Sequence, residues 1–261
     1  MTALALVGGS RSLRVVERNV RSYLRMWPAF VSGFVEPVFY LLSIGIGVGA
    51  LVGDVPGPGG TPIRYEQFVA PAMMATAAMN GAVFDATYNF FFKFKYAKTF
   101  DGMLATPLNV HDVVRGELLW SLLRGTIYAV AFLVTMWALG LTPSAWSVLT
   151  VPAVMLIGFA FAGAGLAFTT FLRSFTDFDW ITLTIMPLML FSATFFPIDR
   201  YPDAVGVLVR FSPLYQGVVI QRALVLGELS AWMLVHAAYL AAMGWLGLRV
   251  AGRRLGRLLQ P

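Results

Sequence analysis

Chemistry on a polypeptide needs nucleophiles, acids, bases or metal ligands held close together, and this chain of 261 residues supplies few of them. It has no cysteine and two histidines, His111 and His236. Neither HExxH nor GxSxG occurs, so neither a zinc-protease site nor a serine nucleophile elbow is written into it. Its three lysines, Lys93, Lys95 and Lys98, do not follow glycines. A P-loop needs GxxxxGK[ST], because backbone amides and a lysine together cradle the phosphates. The chain therefore encodes no recognisable nucleotide hydrolase.

Acids set within long apolar runs are the next candidates, and Glu36 and Asp85 each sit in one. A carboxylate at mid-bilayer costs about 2.5–3.5 kcal/mol on insertion scales, so each faces a bundle interior or an interface. Each is either a polar contact for a cargo headgroup or partner subunit, or half of a structural pair; for Glu36 the pair would be an arginine upstream. Asn80 and Asn89 flank Asp85. They lie nine residues apart, about 900° of ideal helical phase, so they fall on opposite sides and no single polar stripe joins them.

Those apolar runs dictate the architecture. Apolar residues make up 58% of the chain and charged residues 12%, against about 45–50% and about 25% in soluble domains. That composition excludes a soluble globular domain, a disordered chain and a nucleic-acid-binding module. It predicts an all-α polytopic membrane protein, one transmembrane domain over 1–261. Spans need about 20 apolar residues, and six are expected: 31–53, 69–92, 121–141, 148–172, 181–197 and 232–250. Pro56-Gly57-Pro58-Gly59-Gly60 breaks the chain after the first. With both termini inside, fifteen Lys and Arg fall on the inner side and four (Arg64, Arg200, Arg210 and Arg222) on the outer. The positive-inside rule therefore puts both termini in the cytoplasm.

The remaining segments carry the mechanics. Residues 11–27 predict an amphipathic helix, with Arg11, Arg14, Arg18, Arg21 and Arg25 on one face and Leu13, Val16, Val20, Tyr23, Leu24 and Trp27 on the opposite one. Such a helix lies in the cytoplasmic headgroup layer, its arginines on anionic lipid. Residues 93–120 form the longest inner loop, helical from Lys98 to Ala105, broken at Thr106-Pro107 and amphipathic again from Val110 to Leu119. This loop is a docking element or a solvated connection. On the outer side, Pro197, Pro202 and Pro213 cut 197–228 into short helices carrying Arg210 and Arg222. That segment is a gate near the exit or a cap that seals the bundle. Gly45, Gly49 and Gly53 share one face of the first span, for a dimer seam or for packing within one subunit. Phe90, Phe91, Phe92, Phe94 and Tyr96 form an aromatic belt at headgroup level, or in part line the way in for an amphipathic cargo.

The run FDATYNFFFKFKYAKTFDGMLATPLNVHDVVRGELLW resembles the same region of type-2 ABC exporter permeases, above all the branch that includes the nodulation-factor (lipo-oligosaccharide) exporter permeases. The run DFDWITLTIMPLMLFSATFFPIDRYPDAVGVLVRFSPLYQGV is similar to that family's fifth span and the external segment after it. With the six-span pattern, the resemblance covers most of 11–250. It implies a half-transporter in a bacterial plasma membrane. Two permeases, identical or paralogous, pair with two cytoplasmic ABC ATPases, which bind the ATP and Mg2+; the permease itself holds no cofactor. The resemblance makes 98–107 the coupling helix, with Lys98, Thr99, Asp101, Gly102, Met103, Leu104, Thr106 and Pro107 as ATPase contacts. It makes 11–27 the interface helix and 198–228 an external re-entrant hairpin. Glu36, Asp85, Asn89, Phe92, Phe195, Phe196, Arg210 and Arg222 become candidates for the cargo path or gate, and Gly45, Gly49 and Gly53 for the dimer seam. The cargo implied is amphipathic, lipid-linked or glycolipid-like, or a hydrophobic drug, moved outward. Without an ATPase partner, the competing readings are an intramembrane enzyme or a passive channel. The first lacks convergent catalytic groups, and the second lacks rows of polar pore-lining residues.

Overall fold

A computed structural model describes residues 10–25, 35, 38–57 and 60–259; Glu36 and Trp27 lie outside them. Helix α1 (Ser10–Leu24) comes first. Helix α2 (Val38–Val52) follows, widened to π geometry over Leu41–Val48. The Pro/Gly connector makes a small antiparallel hairpin, β1 (Asp54–Pro56) against β2 (Pro62–Arg64), with Asp54 opposite Arg64. Helix α3 (Tyr65–Phe84) continues through π turns at Asp85–Asn89 and Phe92–Tyr96. After it come α4 (Thr99–Leu104), α5 (Val110–Ala138) and α6 (Thr150–Thr169), the last led by a 3-10 turn at Ala145–Leu149. The chain ends with α7 (Asp179–Leu190), α8 (Asp203–Phe211), α9 (Pro213–Leu226) and α10 (Trp232–Leu259).

Local chemistry sets these ends. The Asp112 N–H donates to Asn109 Oδ1 at 2.9 Å, and the Asn109 N–H donates to Asp112 Oδ2 at 3.1 Å. This reciprocal capping box starts a helix firmly. The amphipathic piece from Val110 and the span expected at 121–141 are consequently one helix of 29 residues. At the other extreme, the span expected at 181–197 holds only the 12-residue α7, which has Pro187 inside it and stops at Leu190.

Among the described residues, three helices can cross a bilayer by length and composition: Val110–Ala138, Ala145–Thr169 and Trp232–Leu258. α8 and α9 form a pair bent by 85° that could make a fourth crossing. α3, at 20 residues, is shorter than these and falls short in hydropathy. It is nevertheless the centre of the bundle, with Val69, Ala70, Ala72, Ala75 and Met79 fully buried between α6 and α9. Small side chains on α3 let its neighbours close in, which is the usual basis of helix packing in lipid.

The tightest contact joins α6 to α10. A Cβ at Gly163 would overlap the Gly244 carbonyl, and one at Gly247 would overlap the Gly163 backbone. Gly125, by contrast, has nothing within 4 Å of where its Cβ would stand. Gly163→Val should therefore cost at least the ~1–3 kcal/mol of ordinary overpacking, while Gly125→Ala should leave the melting temperature in detergent unchanged or slightly raised. Equal melting of the two variants would refute the close approach of α6 and α10.

Candidate functional site

The site begins where α1 meets α5. The sequence pattern gives α1 two faces; the structure adds a third. Ser12, Val15 and Asn19 are buried, and Tyr23 follows on the same side. A Cβ at Gly116 would stand 2.5 Å from the Val15 Cβ, so only glycine admits α1 here. Leu13 and Leu24, from the apolar face expected to meet the headgroup layer, are exposed. Polar residues take the inward face because a buried carboxylate on α5 awaits them.

That carboxylate is Glu117. Its Oε2 lies 2.6 Å from Lys93 Nζ, and its Oε1 accepts from Asn19 Nδ2 at 3.1 Å. Lys93 Nζ also donates to Asn19 Oδ1 at 3.2 Å. A second pair lies beside the first: Arg124 Nη2 stands 2.8 Å from Asp85 Oδ2, at an angle that leaves this oxygen without an aligned donor. Asn89 Nδ2 donates to Asp85 Oδ1 at 2.7 Å and to the Tyr23 hydroxyl at 2.9 Å. Arg124 Nη1 donates to the same hydroxyl at 3.2 Å. Burial pushes the Tyr23 hydroxyl above its ordinary pKa against the opposing pull of Arg124, so it stays a neutral acceptor. Both acids and both bases are buried or nearly so, and the set ties α1, α3 and α5 together.

The second pair forms one end of a cavity of about 1090 Å³ between α2, α3, α5 and α6. Asp85, Asn89, Arg124, Ser121, Tyr23 and Tyr128 make that end polar; Met73, Phe132, Val154 and Met155 are among its apolar walls. Asn80 lines it too. Ideal helical phase sets Asn80 and Asn89 opposite each other; both line the cavity, and the π turn at Asp85–Asn89, with more residues per turn, reduces their angular separation.

The other candidates lie elsewhere. Phe92 is exposed and stacks on Tyr96 at 6.1 Å. It belongs to an aromatic cluster that the sequence shows only in part. Phe84, Tyr88, Phe178, Phe91, Phe175 and Tyr96 touch ring to ring in that order, joining the end of α3 to the 175–178 turn. On α4 and at its two ends, Lys98, Asp101, Gly102, Thr106 and Pro107 are exposed, and Thr99 and Leu104 are half-buried. Met103 points inward and is buried with Phe100, whose ring lies 4.8 Å from that of Phe90. Gly45 and Gly49 face Glu66 of the same chain, and Gly53, at φ 71°, ends α2. Gly45 and Gly49 thus have a packing neighbour within this chain.

At the far end, the chain from 191 to 196 is irregular and its carbonyls are satisfied by distant side chains. Arg222 Nε donates to Phe68 O at 3.0 Å, and its Nη2 to Ala193 O at 2.6 Å and Thr194 O at 3.1 Å. Its guanidinium sits 3.6 Å from the Phe68 ring centre. The Tyr65 hydroxyl donates to Phe195 O at 3.0 Å. Phe196 is exposed against Tyr201. Arg210 is exposed, and its carbonyl accepts from Gln216 Nε2 at 2.5 Å.

A bundle of apolar helices around a cavity with one charged end is the build of a membrane-embedded protein. The chain belongs to the ABC-2 type transporter family, whose pattern matches residues 13–226. It is 33% identical to Nodulation protein J of Rhizobium leguminosarum bv. trifolii over 227 residues, 86% of this chain and 85% of that protein. It is 31% identical to Nodulation protein J of Rhizobium leguminosarum bv. viciae over 235 residues, 89% of each. It is 24% identical to the Inner membrane transport permease YadH of Escherichia coli (strain K12) over 205 residues, 76% of this chain and 75% of that protein.

Sequence reading reaches Asp85 and Asn89 but misses Asn19, Tyr23, Lys93, Glu117 and Arg124 as members of the site, because the bases read as topology signals. The available signal was pairing: one acid and one base in each of two neighbouring helical runs. If Asp85 and Arg124 neutralise each other, Asp85→Leu or Arg124→Leu alone should destabilise by about 3–5 kcal/mol, as expected when one buried partner is removed. The double variant should lose clearly less than the sum, read from melting in detergent as a double-mutant cycle. Additive losses would show that the two charges do not interact.

Proposed function

We propose that this chain is the permease subunit of an ATP-driven exporter. A separate cytoplasmic ABC ATPase, which holds the ATP and Mg2+, drives it through α4, and the cargo passes by way of the cavity. The observation that carries this reading is the build of α4. Its exposed side offers Lys98, Asp101, Gly102, Thr106 and Pro107 to a partner, while Phe100 and Met103 root it beneath α3. Force applied at the exposed side is thereby delivered to the helix that carries Asp85 and Asn89. The cavity's polar end and apolar walls suit an amphipathic cargo, such as a lipid-linked or glycolipid-like molecule or a hydrophobic drug. A second permease subunit, identical or paralogous, completes the exporter beside this one, with an ATPase for each. The name of the Escherichia coli relative, an inner-membrane transport permease, supports a bacterial inner-membrane setting. The lysine and arginine bias supports cytoplasmic termini.

Asp101→Lys and Gly102→Pro are the decisive variants, because both alter the exposed side of α4 and spare Phe100 and Met103. In vesicles containing the permease and its ATPase, each should lose most cargo transport and cargo-stimulated hydrolysis while insertion and yield stay at wild-type levels. Wild-type transport by both would sink the assignment of α4.

Orientation has its own check, since the chain contains no cysteine. Single cysteines at Gly57 and Asp203 should react with an impermeant maleimide on intact cells, and those at Leu104 and Arg257 only after lysis. The reverse pattern would overturn the topology.

A further inference from the structure

The three faces of α1 place two partners that the exporter reading does not use. Arg11, Arg14, Arg18, Arg21 and Arg25 are all exposed along one side of the helix. Glu17 is the only acid among residues 10–25, and it pairs with Arg21 at 2.5 Å. Beside this row, and turned away from the protein, Leu13 is 38% exposed and Leu24 71%. A row of arginines next to bare leucines is satisfied at once by a bilayer surface that contains anionic headgroups. A soluble anion or an acidic protein surface would neutralise the arginines and leave the leucines in water. The third face, by Tyr23, reaches the polar end of the cavity, where its hydroxyl accepts from Asn89 and Arg124.

We infer that the outer faces of α1 form a binding site for anionic phospholipid, and that its occupancy is felt in the cavity through Tyr23. The inference goes beyond transport itself and needs only that the chain sit in a bilayer. Headgroups drawing on the arginines set the depth and tilt of α1. Because Val15 is seated against Gly116 and Asn19 on Glu117, α1 cannot shift without moving Tyr23. Asn89 and Arg124 follow, and with them the acceptor geometry of Asp85.

Lipid binding and its transmission can be read separately, without ATPase or cargo, in the full chain reconstituted in phosphatidylcholine vesicles with or without phosphatidylglycerol. The first readout is the immobilised fraction of spin-labelled phosphatidylglycerol relative to spin-labelled phosphatidylcholine. The wild type should prefer the anionic lipid, and each arginine removed in R11Q/R14Q/R25Q should weaken that association by about fivefold. R11K/R14K/R25K should keep most of it, and high salt should weaken it in every charged form. The second readout is the maleimide labelling rate of an Asn80→Cys variant, since Asn80 lines the cavity and is exposed. That rate should change with phosphatidylglycerol, and Tyr23→Phe should abolish the change while keeping the lipid preference. An unaltered preference in the glutamine triple variant would overturn the site. A labelling rate indifferent to lipid composition would overturn the transmission.

Discussion

Two buried ion pairs, Lys93 with Glu117 and Arg124 with Asp85, fix α3 against α5, and Asn19 and Tyr23 tie α1 to both. Against well-packed apolar side chains, such pairs contribute little net stability, because desolvating four charges offsets their attraction. What they impose is registry. Sliding α1 by one turn would leave Glu117 without Asn19, and Asn89 and Arg124 without Tyr23. An apolar α1 would tolerate that slip; this one does not. The wider geometry of α3 serves the same requirement, since the π turn at Asp85–Asn89 brings Asn89 to where Asp85 and Tyr23 both reach it.

The opposite end of the bundle solves the converse problem. Where α7 stops at Leu190, backbone carbonyls are left without helical partners, and such groups are costly away from water. Arg222 from α9 and the hydroxyls of Tyr65 and Tyr201 supply the missing donors. A guanidinium, with five N–H groups and an aromatic face beneath it, suits this role better than a lysine. Charge thus organises both ends of the molecule: acids and bases neutralise one another at one, and Arg222 serves neutral carbonyls at the other.

Much of this was legible in the sequence, and the failures have physical causes. Apolar run length marks the long helices α5, α6 and α10, and the Pro/Gly cluster marks the β1–β2 connection. The arginine spacing marks α1 as amphipathic. Helix ends were misread where a local signal outweighs hydropathy: the Asn109–Asp112 box extends α5 towards the loop, and Pro187 precedes the early stop of α7. The site was misread where helical phase was assumed ideal, as through the π turn at Asp85–Asn89. It was misread again where a basic residue near an apolar run passed for a topology marker, as at Lys93 and Arg124. Periodicity records which side of a helix a residue occupies, but not which residue of another helix waits opposite.

The backbone contact between α6 and α10 sets a limit on how this molecule can work. With Gly163 wedged against Gly244 and Gly247, neither helix has room to rotate or slide past the other, and the two behave as a single stiff spine. In the alternation between inward-facing and outward-facing shapes that an exporter would need, α6 and α10 would have to travel together. In mechanical terms this seam would be carried whole rather than flexed.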